Sequence, residues 1–178
     1  MSHTQAEMPR DESPFWRFSL RFYARTKVSA ACLVLQDEAD VDVNLLLFLL
    51  FLAEHQRQVT ADDVAALDCA VLVWRDQVVK PLRALRRALK AGVGEISITV
   101  SETFRGQIKR LELDSEHIEQ TALEGFNTTN LGAHCASRMA AVEANIAAYE
   151  SHLGIFSAEA KAVILTAFAE FGPHHPAN

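Results

Sequence analysis

Basic side chains recur between residues 80 and 90, where they could bind an anion. On a helix, five of them share one arc of about 120°: Lys80, Arg83, Arg86, Arg87 and Lys90. This basic face could hold an anionic small molecule, an acidic protein surface or a membrane surface. The pattern is also typical of a solvated helix face, or of one neutralised by carboxylates of the same chain.

A pair of opposite charges, Asp68 and Arg75, lies on one side of a predicted helix, about two turns apart. Both border an apolar stripe, where charges are rarely left without a partner. With Arg86 and an acidic loop at residues 37–44, they could form a pocket for an anionic ligand, in an enzyme or in a binding protein. The candidate residues of that loop are Asp37 and Glu38.

The acidic loop resembles the start of a calcium-binding loop but does not complete one. Asp40, Asp42 and Asn44 match the first three ligand positions. The glycine required next is replaced by Leu45, and the twelfth position, which needs a bidentate glutamate, is Phe51. We therefore predict a loop that caps the following helix, and no metal site.

Other common catalytic and cofactor motifs are missing from the sequence. There is no GxSxG nucleophile motif and no glycine-rich phosphate loop. A di-iron helical bundle needs two Glu-x-x-His pairs, and the nearest match is a single Asp114-x-x-His117. We predict no cofactor and assign no catalytic residue, so an enzymatic function stays open.

The element that must position these residues is an apolar helix at residues 42–56. Leu45 to Ala53 is an unbroken apolar run, which covers every side of a helix. The run is shorter than the roughly 20 residues that a membrane span needs. We therefore predict an all-α, single-domain bundle of about seven helices around this central helix.

Before the central helix, Ser13 and Pro14 predict the start of an aromatic helix, with serine as N-cap and proline in the first turn. Its aromatic residues are Phe15, Trp16, Phe18, Phe22 and Tyr23. The domain is predicted to cover residues 13–172, between flexible tails at 1–12 and 173–178.

After the central helix, Thr60 and Asp63 predict a capping box. The helix that follows has one apolar stripe, formed by Val64, Leu67, Val71, Trp74 and Val78. Pro81 is expected to break or kink it, and Gly92 to end it.

The second half of the chain is predicted to continue as helices after an extended link at residues 93–100. A long helix should start near Glu102, with a possible interruption near Asp114. Its inward residues are predicted to be Phe104, Ile108, Leu111, Ile118 and Ala122. Two further helices follow, one at about 133–152 and one capped by Ser157.

Charge and cysteine content limit the class of protein. The net charge is −6, and all of the excess negative charge lies in the second half, which argues against nucleic-acid binding. Cys32, Cys69 and Cys135 lie in apolar surroundings and are predicted to be buried thiols in a reducing compartment. With no apolar leader at the N-terminus, we expect a cytoplasmic protein.

Three blocks of sequence carry a resemblance to a family: FWRFSLRFYA (15–24), ACLVLQDEADVDVNLLLFLLFLA (31–53) and W-x₅-KPLRALRRALK (74–90). The chain resembles a family of small all-helical proteobacterial proteins catalogued as conserved hypothetical proteins of unknown function. The resemblance covers about residues 14–150. It implies a bacterial cytosolic protein and transfers no catalytic residue.

The sequence supports three functional hypotheses. The first is a non-enzymatic binding or adaptor protein that contacts a protein partner or a small anionic ligand through the basic face and the aromatic helix. The alternative is a small cytosolic enzyme or ligand-binding protein with the anionic-ligand pocket described above. The third is a homodimer in which the basic helix of one copy meets the acidic second half of the other.

Overall fold

A computed structural model describes residues 13–126 and 131–172, and the apolar helix lies at the centre of the described part. The tails predicted to be flexible, 1–12 and 173–178, lie outside the described residues. The helices are α1 (Pro14–Tyr23), α2 (Val28–Ala39), α3 (Val43–Glu54), α4 (Ala61–Trp74), α5 (Lys80–Ala91), α6 (Ile98–Gly125), α7 (Arg138–Leu153) and α8 (Ala158–Glu170). Because α4 and α5 are continuous through a π-helical segment, Arg75–Val79, the described residues form seven separate helices, as predicted.

The central helix α3 is surrounded by α1, α6 and α7. Every residue from Asn44 to Leu50 is buried, so no side of the helix is left to solvent. Its N-cap is Asp42, whose Oδ1 accepts hydrogen bonds from the backbone N–H groups of Asn44 and Leu45, at 2.8 and 3.3 Å. The prediction that the acidic loop caps this helix is therefore confirmed.

Most predicted helix ends are confirmed. Ser13 caps α1, Ser157 caps α8, and Thr60 and Asp63 form both bonds of a capping box at the start of α4. Pro81 does not break the helix. Proline lacks the N–H that would bond the carbonyl four residues earlier, and the wider π-helical turns just before it accommodate this without ending the helix.

The π-helical segment adds one residue to a turn of the helix, so the positions that face the core are shifted by one after it. Val64, Leu67 and Val71 are buried as predicted, but at the end of the segment Val79 is buried and Val78 only partly so. The predicted extended link at 93–100 is only partly a link: residues 93–96 form a tight turn with a bridge between Val93 and Ile96, and 98–100 are helical. α6 begins at Ile98, earlier than predicted, and runs without interruption to Gly125.

The buried face of α6 differs from the prediction. Phe104, Leu111 and Ile118 are exposed, and Ile108 is buried as expected. The buried polar residues of α6 are Ser101, Glu112, Ser115, His117, Glu119 and Gln120. The reason is that α6 packs along α5, whose arginines need carboxylate partners, so the polar face of α6 turns inward.

A short antiparallel sheet joins the segment after α3 to the segment before α7. β1 (Arg57–Gln58) pairs with β2 (Ala133–His134), with Arg57 opposite His134. Gly132 has a φ of +67°, and a Cβ there would lie 2.2 Å from the carbonyl oxygen of Gln58. Only glycine therefore fits this approach of the two strands.

Candidate functional site

Arg75 lies at the centre of a largely buried ion-pair cluster. Its Nη1 donates to Asp42 Oδ2 at 2.9 Å and to Asp68 Oδ1 at 2.6 Å. His152 Nε2 lies 3.1 Å from Asp68 Oδ2, so the cluster reaches α7. Burial alone would raise the pKa of Asp68, but the hydrogen bonds from Arg75 and His152 lower it. The arrangement fastens the N-terminus of α3 to α4 and α7.

A chain of amide and carboxyl groups continues from this cluster into the core. Gln120 Nε2 donates to Asn44 Oδ1, and Asn44 Nδ2 donates to Glu119 Oε2, both at 2.8 Å. Burial, first of all, and the charge of Asp42 raise the pKa of Glu119. The shift favours the protonated form of Glu119 in the folded chain.

The raised pKa of Glu119 predicts a pH dependence of stability. Above the ordinary glutamate pKa of about 4.3, the folded chain holds a proton that the unfolded chain has lost. The free energy of unfolding therefore falls by up to about 1.4 kcal/mol per pH unit because of this group. Glu119→Gln, a neutral isostere that keeps the hydrogen bond from Asn44, should remove this dependence of the unfolding free energy on pH and be more stable than the wild type at pH 8.

Urea unfolding of both proteins between about pH 5 and pH 8 measures the difference. Glu143→Gln, at an exposed position of α7, is the matched control and should follow the wild type. If the difference in free energy of unfolding between the wild type and Glu119→Gln does not change with pH, Glu119 is ionised in the folded chain.

The arginines of the basic face are paired with carboxylates of α6. Arg83 donates to Glu112 Oε1 at 3.3 Å and to Glu116 Oε1 at 2.8 Å. Arg86 Nη2 donates to Glu112 Oε1 at 3.0 Å, and its Nε also contacts this carboxylate. Burial raises the pKa of Glu116 despite the neighbouring Arg83. These two arginines are thus neutralised within the chain.

The outer cations of the same face contact the acidic loop. Lys80 lies 3.1 Å from Asp40 and 3.2 Å from Asp76, and Arg87 lies 3.2 Å from Asp37. These pairs are partly or largely exposed, and such pairs contribute little to stability. Glu38 is exposed at the end of α2. The opposite charges that suggested a homodimer therefore meet within one chain, and the dimer stays a prediction.

A cavity of about 690 Å³ lies between α1, α2, α3, α5 and α6. Its volume is within the range of roughly 300–1,000 Å³ that is usual for small-molecule sites. The apolar side chains of its wall are Trp16, Leu20, Tyr23, Leu33, Leu47 and Leu113. The aromatic and basic helices thus contribute to one concave surface, which the sequence did not predict.

The inner end of the cavity contains polar atoms that lack partners. Ser19 is 2% exposed and Gln120 is 4% exposed, and both line the cavity. Within the described residues, Ser19 Oγ and Gln120 Oε1 have no hydrogen-bond partner. A buried polar atom without a partner costs about 1–3 kcal/mol. Both atoms are themselves covered by neighbouring groups, so a bound molecule gains hydrogen bonds to them only when it displaces the groups that cover them.

The outer end of the cavity is open and basic. Lys109 and Arg110 line it, and both are exposed. Within the described ranges, no carboxylate forms an ion pair with either of them, in contrast to Arg83 and Arg86 on the same wall. The cavity therefore has a neutral polar inner end, an apolar wall and a positive mouth.

The predicted site residues divide into separate groups. Asp68 and Arg75 are together in the buried cluster, and Arg86 is with Glu112 at the cavity, which neither Asp68 nor Arg75 lines. Sequence reasoning missed Ser19 and Gln120 at the inner end of the cavity, and it placed Asn44 only in the acidic loop 37–44. The sequence does contain one indication of a polar face on α6, because Glu112, Glu116 and Glu119 recur at helical spacing. A search for apolar periodicity alone does not detect it.

Other expectations from the sequence have the following outcomes. In the aromatic helix, Phe15, Phe18 and Phe22 are buried in the core and only Trp16 and Tyr23 reach the cavity. Cys69 is exposed, because it follows Asp68 on the outer side of α4, so its predicted burial is wrong. Among residues 13–126 and 131–172, no cluster of three or more metal-ligating side chains occurs, and no helix is long and apolar enough to cross a membrane.

Comparison with known families identifies one match. The model of a family described as a protein of unknown function (DUF2390) matches residues 14–123, more than half of the chain, and the chain belongs to this family. No curated protein and no solved structure gives a significant match.

Proposed function

We propose that this member of the DUF2390 family is a small-molecule binding protein, and that its ligand occupies the cavity between α1, α2, α3, α5 and α6. The observation that carries the proposal is a cavity with apolar walls, bordered at its inner end by two covered polar atoms, Ser19 Oγ and Gln120 Oε1, that have no hydrogen-bond partner among residues 13–126 and 131–172. A well-held water needs several polar partners, and the apolar wall offers few of them. A ligand with an apolar body and a hydrogen-bond donor matches both features.

The donor requirement follows from the chemistry of Gln120. Its Nε2 already donates to Asn44, so the side chain is fixed and Oε1 can only accept. Ser19 Oγ can donate or accept. A hydroxyl, amide N–H or amine group on the ligand therefore satisfies Gln120, while Leu20, Leu33 and Leu47 contact its apolar body.

A binding site inside the cavity is better supported than a protein partner on the basic face. Arg83, Arg86 and Arg87 already contact carboxylates of the same chain. A partner would have to replace these contacts, which reduces the free energy available for binding. We further propose that the protein works in the cytoplasm, since Cys32, Cys69 and Cys135 are free thiols, as in a reducing compartment; a bacterial source is implied only by the family resemblance.

The proposal predicts saturable binding of a neutral probe with a donor group. N-phenyl-1-naphthylamine has an apolar body and one N–H group, and its fluorescence rises in apolar surroundings. We expect one site per chain, and a loss of affinity of at least about tenfold, or 1.4 kcal/mol, in Ser19→Leu. That substitution fills the inner end and leaves Gln120 Oε1 harder to reach.

Ser151→Leu is the matched control, because it makes the same change at an exposed position of α7, away from the cavity. It should bind the probe like the wild type. Circular dichroism verifies that both variants are folded. Absence of saturable binding by the wild type, or equal binding by Ser19→Leu, would contradict the proposed function.

A further inference from the structure

We infer that the ligand is an amphipathic anion, with a carboxylate, phosphate or sulfonate-like group held at the cavity mouth by Lys109 and Arg110. The inference rests on the proposed function and adds the charge class of the ligand. It also fixes the orientation, with the anionic group outside and the donor group at Ser19 and Gln120.

The first argument is the charge balance of the cavity wall. Four cations line the cavity, Arg83, Arg86, Lys109 and Arg110, against two carboxylates, Glu112 and Glu116. Both carboxylates already form ion pairs. Arg83 lies 3.3 Å from Glu112 and 2.8 Å from Glu116, and Arg86 also pairs with Glu112. The uncompensated positive charge is therefore located at Lys109 and Arg110.

The second argument is where that charge lies relative to the apolar wall. Lys109 and Arg110 follow each other on α6, and the exposed Leu20, Leu33 and Leu113 border the same opening. An anion bound there stays partly hydrated, so the cost of desolvating it is small. Its apolar part would extend inward along Trp16 and Leu47. A neutral or cationic ligand would leave the two cations without a partner.

The third argument is that the inner end cannot hold the anion. Asn44 and Gln120 belong to the chain of groups that leads to Glu119 and Asp42, and the free atom of Gln120 is an acceptor. A carboxylate or phosphate oxygen facing Gln120 Oε1 would be repelled and buried without a partner. The two ends of the cavity therefore select one orientation of the ligand.

The test uses two probes that differ by one anionic group. N-(4-methylphenyl)-2-naphthylamine is neutral, and 6-(p-toluidino)naphthalene-2-sulfonate has the same ring system with a sulfonate at the far end of the naphthalene from the N–H group. We expect the sulfonate to bind at least about tenfold more tightly at low salt. Raising the salt concentration from about 20 mM to about 200 mM should weaken the binding of the sulfonate and leave the binding of the neutral probe unchanged.

The paired substitutions Lys109→Glu and Arg110→Glu should remove the preference for the sulfonate while binding of the neutral probe is kept. Arg17→Glu with Lys90→Glu makes the same change of charge at exposed cations that do not line the cavity, and should keep the preference. Dodecanoate should displace the bound sulfonate at lower concentration than dodecanol does.

The outcomes separate this inference from the proposed function. Equal affinity for the two probes, or a preference for the sulfonate that remains after substitution of Lys109 and Arg110, contradicts the inference that the ligand is an anion. Neither result contradicts the proposed binding function of the cavity. Absence of binding by either probe overturns both. Cosedimentation with phosphatidylglycerol vesicles that is abolished by the same two substitutions would show that the bound anion is a membrane lipid and not a dissolved small molecule.

Discussion

Replacing Arg75 by methionine is expected to lower the free energy of unfolding by about 3 kcal/mol at pH 7. The side chain of Arg75 is 11% exposed, and those of its partners Asp42 and Asp68 are 4% and 15% exposed. Methionine fills a similar volume but leaves two carboxylates in a poorly hydrated site without a cation. Urea unfolding monitored by circular dichroism gives the value.

The pH dependence of this deficit tests its cause. The lowered pKa of Asp68 means that its pairing stabilises the fold above the unfolded aspartate pKa of about 3.9 and is lost as the pH falls through the folded value. The Arg75→Met variant lacks this contribution, so its loss of unfolding free energy relative to the wild type should become smaller in acid.

Arg87→Met is the control, since both side chains of the Arg87–Asp37 pair are about half exposed. We expect it to change the free energy of unfolding by no more than about 0.5 kcal/mol. A similar effect of the two substitutions would show that the Arg75 cluster is not structural.

Replacing Asn145 by alanine is expected to cost about 3 kcal/mol, although Asn145 contacts no cavity. Its side chain is fully buried and accepts from Val59 N at 2.8 Å. It also donates from Nδ2 to the carbonyl oxygens of Leu49 and Arg57, at 2.9 and 3.0 Å. Alanine leaves buried backbone groups without partners and creates a cavity.

Hydrogen exchange localises the effect of this substitution. The Val59 amide should lose protection in Asn145→Ala, because its acceptor is the amide oxygen that the substitution removes. Gln107→Ala, which truncates an exposed amide on α6, is the matched control and should change the free energy of unfolding by no more than about 0.5 kcal/mol. Unaltered protection of Val59 would mean that another group satisfies it.

Local signals in the sequence predicted the helices well. The apolar run at 45–53 predicted a central buried helix, because a helix that is apolar on every side has to be enclosed by others. Ser13, Thr60 and Asp63 predicted helix starts, since a cap depends only on residues within one turn. These features are decided by neighbours in the chain and do not need the rest of the fold.

Partners across the fold were not predictable in the same way. Asn145 stands in an alanine-rich stretch with no polar pattern around it, and its three partners are between 86 and 96 residues away. Tyr149 is likewise fully buried, and its hydroxyl accepts from Asp42 N at 3.0 Å. Such contacts depend on how α3 and α7 pack, which the helical period of either segment does not contain.

The basic face shows most clearly what each source of information determines. The spacing of Arg83, Arg86 and Arg87 determines by itself that their side chains share one side of a helix, because the period of a helix is local. Only the tertiary structure decides that Glu112 and Glu116 neutralise two of them and that no carboxylate of the described part of the chain pairs with Lys109 or Arg110. Charges act through space, so their partners depend on the packing of α5 against α6 rather than on their order in the chain.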